Sequence, residues 1–275
     1  MVAEENPLRK YLRSGSLPHF FCSGCGSAQV LNFFVQAADE LHLDFDRLVG
    51  IGGVGCTARI PVYLKIDTLH GIHGRTLPWA TGIKLHNPEL KVVIFAGDGD
   101  AAAIGGNHLI QAARRNLDVT MLVVNNMTYG MTGGQVAPTT PEQLNSSTTP
   151  YGNLEPPFDL CKLVAAAGAT FVARATTYRP RVVVSTIKKA LQHRGFSMVE
   201  IISQCPTYFG RKALGSSDAV DTVNWINDRA VTSQNAQNMP ESEVAGKFLL
   251  GVFVDTQRPV FAGGSKLPME VGEEC

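Results

Sequence analysis

Two aspartates lie in a glycine-rich segment that directly follows an apolar run. The run at 92–96 is followed by Asp98 and Asp100, each beside glycine, and then by apolar residues at helical spacing over 102–115. Backbone N–H groups at such a strand-to-helix turn can bind an anion such as a diphosphate, aided by the helix dipole. Asp98 would repel phosphate unless a divalent cation lay between them, and Mg²⁺ favours a few protein oxygens combined with phosphate oxygens. The segment therefore predicts a magnesium–diphosphate site.

The remaining magnesium ligands should come from the next strand. The apolar run 119–124 ends in two asparagines, and one predicted helix separates it from Asp98. Because ligands bind at the carboxyl ends of the strands in such sheets, the Asn126 side chain and the Thr128 backbone carbonyl are expected beside Asp98. A Gly-Asp-Gly sequence alone is usually a tight turn and an Asn a cap. The order strand, turn, helix, strand and Asn-Asn nevertheless favours the metal site.

The cysteines are a second candidate set. They stand at positions 22, 25, 56, 161, 205 and 275. Cys22 and Cys25 form a Cys-x-x-Cys motif, and Cys56 and Cys205 adjoin glycine or proline. Since a cytosolic chain has little use for disulfides, such clusters indicate metal binding or redox chemistry. Four thiolates can bind Zn²⁺ or a 4Fe-4S cluster, and their number does not distinguish the two. Cys161 lies in an apolar helical pattern and is predicted to be a buried core thiol, and the cysteine at 275 has no evident role.

Composition excludes several classes of protein. Of the 275 residues, 44% are apolar and 17% charged, and the 24 basic and 24 acidic side chains cancel without forming runs of one sign. Neither nucleic acid nor an anionic membrane is therefore an expected partner. A mixed-charge start and apolar runs too short to span a bilayer predict a cytoplasmic protein. The low share of charged residues favours interfaces with partner chains.

The elements that must position these residues alternate between strand and helix. A helix over 30–41 precedes a strand over 48–51 that runs into a glycine-rich loop. Further strands are predicted at 119–124, 171–175 and 198–203, and further helices at 159–167 and 181–193. Strands that are apolar throughout predict an α/β fold with a mostly parallel, doubly wound sheet. The long loop 125–157 should be functional. We predict an α/β domain over 1–209 and a loop-rich, partner-docking extension over 210–275.

The arrangement of Asp98 and Asn126 resembles the thiamine diphosphate motif shared by thiamine-dependent decarboxylases, transketolases and oxoacid oxidoreductases. The resemblance implies that Asp98, Asn126 and the Thr128 carbonyl hold Mg²⁺, with Gly99 and Asp100 near the diphosphate. In enzymes with this motif, a glutamate from a separate pyrimidine-binding domain activates the aminopyrimidine. No such second domain is evident in the sequence, so a partner chain is expected to supply it.

Six short motifs together resemble the beta subunit of 2-oxoacid:ferredoxin oxidoreductases. They are Cys22-Ser23-Gly24-Cys25-Gly26, Gly53-Val54-Gly55-Cys56, His73-Gly74-Arg75, Gly97-Asp98-Gly99-Asp100, Asn125-Asn126 with the run Tyr129-Gly130-Met131-Thr132-Gly133-Gly134-Gln135, and Gln204-Cys205-Pro206-Thr207. The resemblance implies that Cys22, Cys25, Cys56 and Cys205 bind a 4Fe-4S cluster. The other residues that it places at the cofactors are Thr57, His73, Gly74, Gly97, Gly130, Met131 and Thr132. His73 is also the implied catalytic residue, although a structural role stays open because its neighbours decide its task.

The thiamine site favours iron over zinc. Oxidative decarboxylation releases two electrons that an adjacent cluster can accept singly, whereas structural zinc adds no chemistry. The resemblance implies oxidation of a 2-oxoacid with coenzyme A to an acyl-CoA and CO₂ while ferredoxin is reduced, a reaction that can also run in reverse. It also implies an alpha subunit that carries the pyrimidine-binding domain, in an (alpha-beta)₂ assembly.

The substrate is less closely determined. The runs at 131–135 and 204–211 look more like the 2-oxoglutarate members of the family than the pyruvate members, and Gly133 stands where one subgroup has a lysine. Three alternatives stay open. They are a pyruvate or broad-specificity 2-oxoacid enzyme, a thiamine enzyme without electron transfer, which leaves the cysteines unexplained, and a zinc-stabilised, non-catalytic assembly subunit.

Overall fold

The computed structural model describes residues 6–261. Within this part of the chain, eight strands form one sheet: β1 (Leu48–Gly52), β2 (Asp67–His70), β3 (Lys91–Gly97), β4 (Val119–Asn125), β5 (Phe171–Thr176), β6 (Phe196–Ile202), β7 (Ala230–Thr232) and β8 (Phe248–Asp255). Their order is β2-β1-β3-β4-β6-β5-β8-β7, and hydrogen-bonded neighbours run parallel except for β5 with β8. The predicted α/β class with a mostly parallel sheet is confirmed.

Helices cover both faces of this sheet. The described helices are α1 (Gly26–Glu40), α2 (Thr76–His86), α3 (Gly106–Arg115), α4 (Leu160–Ala166), α5 (Pro180–Gln192), α6 (Ala219–Asp228), α7 (Ser233–Ala236) and α8 (Glu241–Val244). Side chains of α1 and α5 form one core cluster with the sheet, and side chains of α2, α3 and α4 form a second. The central strands β4, β5 and β6 are buried along their whole length, which is why their sequences are mostly apolar and do not alternate between apolar and polar residues. Over residues 6–261, none of the helices combines the length and apolarity that a bilayer crossing requires.

The phosphate-binding segment departs from the predicted helix over 102–115. The chain first makes a π-helical turn at Gly99–Ala103, and α3 begins only at Gly106. A Cβ at Gly105 would lie 2.2 Å from the carbonyl oxygen of Asp100, so this close backbone approach requires glycine. Residues 99–103 therefore stay close to the end of β3, and the regular helix begins after them.

The region after residue 209 was predicted as a loop-rich extension, and its described part is more ordered than that. The proposed boundary falls inside a π-helix at Pro206–Leu214, and β8 pairs antiparallel with β5 in the main sheet. The run over 248–254 is apolar apart from Gly251, which is a strand signal that the prediction of a loop-rich extension did not use. In the structure, the pairing of β8 with β5 carries a register shift between Val172 and Ala173, and β8 is only partly buried.

Candidate active site

A small pocket lies at the carboxyl ends of β1, β3 and β4, and we call it the glycine-rich pocket. Its volume is about 170 Å³. It is lined by Val54, Gly55, Cys56, Thr57, His73, Gly97, Asp98, Gly99, Asp100, Asn126, Thr128, Tyr129, Gly130, Met131 and Thr132. Nearly all the residues predicted for the thiamine site therefore meet in one place, because parallel strands end at a common edge. Gly74 lies directly behind the lining, where its N–H donates to Asp100 Oδ1 at 2.7 Å.

Asp98 presents a buried carboxylate to this pocket. Its Oδ2 accepts a hydrogen bond of 2.5 Å from Thr139 Oγ1. Burial raises the pKa of Asp98 to about 6, although the Thr139 hydroxyl and the backbone N–H of Gly99 act in the opposite direction. Burial therefore disfavours the charged form, and a cation beside the carboxylate would restore it. An oxygen ligand that is poorly solvated in this way fits a Mg²⁺ site.

The two asparagines at the end of β4 have different surroundings. Asn125 turns inward, where its Nδ2 donates to Glu200 Oε1 at 2.7 Å and its Oδ1 accepts from the Met127 N–H at 3.1 Å. Asn126 lines the pocket, and its Oδ1 accepts from the Thr128 N–H at 3.3 Å. Met127, with a positive φ of 59°, turns the chain directly after them. The tight turn thus directs Asn126, and not Asn125, toward the expected metal position.

Asp100 joins three segments around the pocket. Its Oδ1 accepts hydrogen bonds from His73 Nδ1 and the Gly74 N–H, both at 2.7 Å, and from the Val54 N–H at 3.3 Å. Its other oxygen, Oδ2, is buried without a hydrogen-bond partner. The sequence placed Asp100 near the diphosphate, whereas the carboxylate is engaged with His73 and two backbone amides. Because Nδ1 of His73 faces this carboxylate, Nε2 is the ring nitrogen left for contacts with a ligand.

Gly53 makes room for this carboxylate. A Cβ at position 53 would lie 2.2 Å from Asp100 Oδ2 and 2.5 Å from Oδ1. We expect Gly53→Ala to displace Asp100 and to lower the free energy of unfolding by about 1–3 kcal/mol, as measured by urea denaturation of the full chain.

The control for Gly53→Ala is Gly82→Ala, which lies within α2 where a Cβ meets open space. This change should raise the free energy of unfolding by up to about 1 kcal/mol because alanine favours helix. If the two variants were equally stable, Gly53 would not be needed to accommodate Asp100.

Two of the candidate cluster cysteines stand at the starts of helical segments. Cys25 is the N-cap of α1, and Cys205 precedes the π-helix Pro206–Leu214. The Gly26 N–H donates to the Gln204 carbonyl at 3.1 Å, so the two starts lie side by side. Burial raises the pKa of both thiols, and backbone N–H groups of the following turns oppose it. Amides near sulfur are suited to stabilising ligated thiolates.

The other two cysteines complete this group. Burial, together with the charges of Cys25, Cys205 and Cys22, raises the pKa of Cys56 to about 12. A Cβ at Gly130 would lie 3.5 Å from Cys205 Sγ and 3.9 Å from Cys56 Sγ, so both sulfurs border the segment that lines the glycine-rich pocket. Thiolates this close to one another need a cationic centre to ionise together, and the four residues therefore fit a metal cluster.

The four sulfurs are not arranged around one point. Over residues 6–261, no group of three or more His, Cys, Asp or Glu side chains could hold a metal ion as the side chains stand. Cysteine ligands of an iron–sulfur cluster bind separate irons, so they need not surround one point.

Cys161 lies apart from these four cysteines. It is buried, as predicted, and its Sγ lies 3.3 Å from Glu200 Oε2. The cysteine at 275 is outside the described residues.

Sequence reasoning missed some of the site. Tyr129 lines the pocket, and a Cβ at Gly99 would lie 2.2 Å from its ring, so the two residues are in close contact. Tyr129 belongs to one of the motifs, which was the available signal. Thr139 contacts Asp98 from the long polar loop, and no pattern in the sequence distinguishes it from the other threonines there.

This pocket, at the strand ends of a parallel sheet, is of the thiamine diphosphate type, and comparison with known proteins agrees. The C-terminal TPP binding domain of thiamine pyrophosphate enzymes matches residues 53–201. The 2-oxoglutarate synthase subunit KorB of Methanothermobacter marburgensis is 51% identical over 259 residues, which cover 94% of this chain and 90% of the relative. KorB of Methanocaldococcus jannaschii is 47% identical over 256 residues, which cover 93% of this chain and 94% of the relative.

A solved structure is also similar. It is a 2-oxoglutarate:ferredoxin oxidoreductase from Magnetococcus marinus with 2-oxoglutarate, coenzyme A and succinyl-CoA bound. The TM-score is 0.82 at 32% identity, over 94% of this chain and 88% of that one. The chain belongs to the family of 2-oxoglutarate synthase KorB subunits, and the resemblance inferred from the motifs is confirmed.

Proposed function

We propose that the chain is the thiamine-diphosphate-binding beta subunit of a 2-oxoglutarate:ferredoxin oxidoreductase. The complex would oxidise 2-oxoglutarate with coenzyme A to succinyl-CoA and CO₂ while it reduces ferredoxin, and it can also run in reverse. The observation that carries the proposal is the meeting of Asp98, Asn126 and the His73–Asp100 pair in one pocket whose wall adjoins Cys56 and Cys205. Site and sequence relatives support the same activity.

In this proposal the glycine-rich pocket holds the diphosphate end of the cofactor. Asp98, the Asn126 side chain and the Thr128 carbonyl would hold Mg²⁺, which would offset the charge of the diphosphate. Backbone amides of the turn that begins at Gly99 would add positive charge at the start of a helical segment. When bound, thiamine diphosphate would supply a carbon nucleophile for the 2-oxoacid, and a cluster would supply one-electron transfer.

The role proposed for His73 is to hold a proton or a hydrogen bond at Nε2, beside the reacting end of the substrate. Asp100 fixes the ring through Nδ1, so the imidazole has one orientation and one preferred tautomer. The ring is about one-third exposed, which leaves it accessible to a ligand in the pocket. A histidine positioned in this way suits proton transfer or polarisation of a carbonyl.

We assign the 4Fe-4S cluster to Cys22, Cys25, Cys56 and Cys205. Cys56 belongs to this group and also lines the glycine-rich pocket, and Gly130 borders both Cys56 and Cys205, so electrons would have only a short distance to cross. The exposed position of Cys22 leaves one side of the cysteine group open toward the surface. This location would allow a ferredoxin to approach the cluster.

A partner subunit is required by this proposal. Large apolar side chains are exposed at the mouth of the pocket. Val54 and Met131 belong to its lining, and Ile72, which is 66% exposed, precedes His73 in sequence. We propose that an alpha subunit with the pyrimidine-binding domain covers this face in an (alpha-beta)₂ assembly. The partner-docking role of 210–275 and the cytoplasmic location stay predictions.

The proposal is tested by an anaerobic assay of the assembled complex. Reduction of a ferredoxin or a viologen is followed with coenzyme A and with 2-oxoglutarate, pyruvate or a branched 2-oxoacid side by side. We expect 2-oxoglutarate to be preferred by at least about tenfold in kcat/KM, since a site built around the distal carboxylate rejects substrates without it. Preference for pyruvate would overturn the substrate assignment, and zinc without iron in the purified complex would overturn the redox function.

A further inference from the structure

We propose that Thr139 is a positioning residue for the Mg²⁺ site. It acts with a buried hydrogen-bond network that holds the two proposed side-chain ligands, Asp98 and Asn126, in position. The inference rests on the proposed function, because it assumes that Asp98 and Asn126 bind Mg²⁺. Thr139 belongs to the loop between β4 and α4 and lies 41 residues from Asp98 in sequence. Nothing in its local sequence requires a buried threonine, yet its side chain is buried.

The first contact of the network restrains Asp98. The Thr139 hydroxyl lies 2.5 Å from Asp98 Oδ2 and 2.9 Å from Asn125 Oδ1. A hydroxyl has a single hydrogen to donate. When Asp98 is ionised beside a cation, the charge-assisted bond to the carboxylate is the stronger of the two. Thr139 then occupies one oxygen of Asp98 and prevents the carboxylate from rotating freely at the metal.

The second contact restrains Asn126 through its neighbour. The Asn125 amide cannot flip without losing bonds, because Nδ2 donates to Glu200 Oε1 at 2.7 Å while Oδ1 accepts from the Met127 N–H at 3.1 Å. The bond to Met127 closes the turn in which Asn126 stands. Asn125 thus lies against the Thr139 side chain on one side and fixes the backbone of Asn126 on the other.

The carboxylate of Glu200 is in turn held by Arg174. Its Oε2 accepts from Arg174 Nε at 2.7 Å, and Arg174 Nη2 lies 2.5 Å from Asp159 Oδ1. Arg174 and Glu200 are both buried, on the adjacent strands β5 and β6. A paired charge in the core holds its geometry because any displacement leaves an uncompensated charge. The network is therefore anchored in the rigid sheet, and outer contacts of this kind orient metal ligands.

The test compares three variants of the assembled complex. Thr139→Val removes the hydroxyl at nearly constant volume, and Thr139→Ser retains it. Thr176→Val is the matched control, since Thr176 is also buried and its Oγ1 has no hydrogen-bond partner. The Mg²⁺ dependence of thiamine diphosphate binding is measured by calorimetry, and the same samples loaded with Mn²⁺ are compared by electron paramagnetic resonance.

We expect Thr139→Val to weaken the apparent affinity for Mg²⁺ about 10–100-fold and to change the Mn²⁺ spectrum, as losses of supporting contacts around metal ligands do. Thr139→Ser should restore both readouts, and Thr176→Val should leave both unchanged. Wild-type Mg²⁺ affinity and an unaltered Mn²⁺ spectrum in Thr139→Val would overturn the role of Thr139 alone. A wild-type complex that binds thiamine diphosphate without any Mg²⁺ dependence would overturn the metal site itself and this inference with it.

Discussion

Replacing Asp98 with alanine is expected to abolish binding of thiamine diphosphate with Mg²⁺ and to leave the iron content unchanged. The buried carboxylate supplies the negative charge that Mg²⁺ needs on the protein side of the diphosphate. Because even supporting contacts are worth 10–100-fold in metal affinity, loss of a direct ligand should weaken binding by at least about 100-fold. Calorimetric titration of the assembled complex with thiamine diphosphate and MgCl₂ measures the loss, and iron analysis of the same sample measures the cluster.

The control for this change is Asp67→Ala. Asp67 is exposed at the amino end of β2, at the opposite edge of the sheet from the pocket. The Asp67→Ala variant should bind thiamine diphosphate with the same affinity as the wild type. Wild-type affinity in Asp98→Ala would show that the magnesium site is misplaced. If Asp98→Ala lost iron as well, Asp98→Asn would separate loss of folding from loss of a ligand, because it keeps the shape of the side chain and removes only the charge.

Replacing Cys56 with alanine is expected to remove the iron–sulfur cluster. Cys56 is the cysteine whose pKa is raised by the other three thiolates, so it lies close to all of them. The iron content should fall from about four atoms per chain to less than about one, with loss of the broad brown absorbance and of ferredoxin reduction. Thiamine diphosphate binding should persist at reduced affinity, since Cys56 also lines the glycine-rich pocket.

Cys161→Ala is the matched control for the cluster. Cys161 is a buried thiol on α4 that contacts Glu200 and the Ala173 carbonyl. Cys161 lies between α4 and the sheet beside the carboxylate of Glu200, away from the four candidate cluster cysteines, so it is not expected to bind the cluster. The variant should keep its iron and lose only about 1 kcal/mol of stability from the smaller side chain. Equal loss of iron in the two variants would contradict the assignment of the cluster to Cys22, Cys25, Cys56 and Cys205.

The core strands and the main site segments could be predicted from the sequence because their signals are local. Runs such as 119–124, in which Thr120 is the one polar residue, indicate a strand buried on both faces, and the observed β4 extends this run only to Asn125. The motifs around Asp98 and Asn126 follow two such strands, so the parallel topology alone brings them to one edge of the sheet. The buried state of Cys161 followed from its apolar neighbours in the same way.

The partners of individual side chains depended on contacts between distant segments. The location of Asp100 near the diphosphate stays a prediction, and what the sequence did not indicate is that backbone N–H groups of Val54 and Gly74, from the loops after two other strands, donate to its carboxylate. Nothing local distinguishes an aspartate that binds a ligand from one that orients a histidine. Strand β8 lies between β5 and β7 in the sheet, and it was not predicted although its sequence is apolar from Phe248 to Val254 apart from Gly251.

The cysteines and aspartates of the candidate sites show what the sequence determines and what the tertiary structure decides. Their types and spacing, with the parallel order of the strands, predicted a metal–diphosphate site and a thiolate group, because backbone turns and strand ends are local properties. Only the tertiary structure decided that Gly130 borders both Cys56 and Cys205, that Asp100 is hydrogen-bonded to His73, and that Thr139 is hydrogen-bonded to Asp98. Those arrangements arise from long-range packing, in which residues 27 or 41 positions apart come into hydrogen-bonding distance.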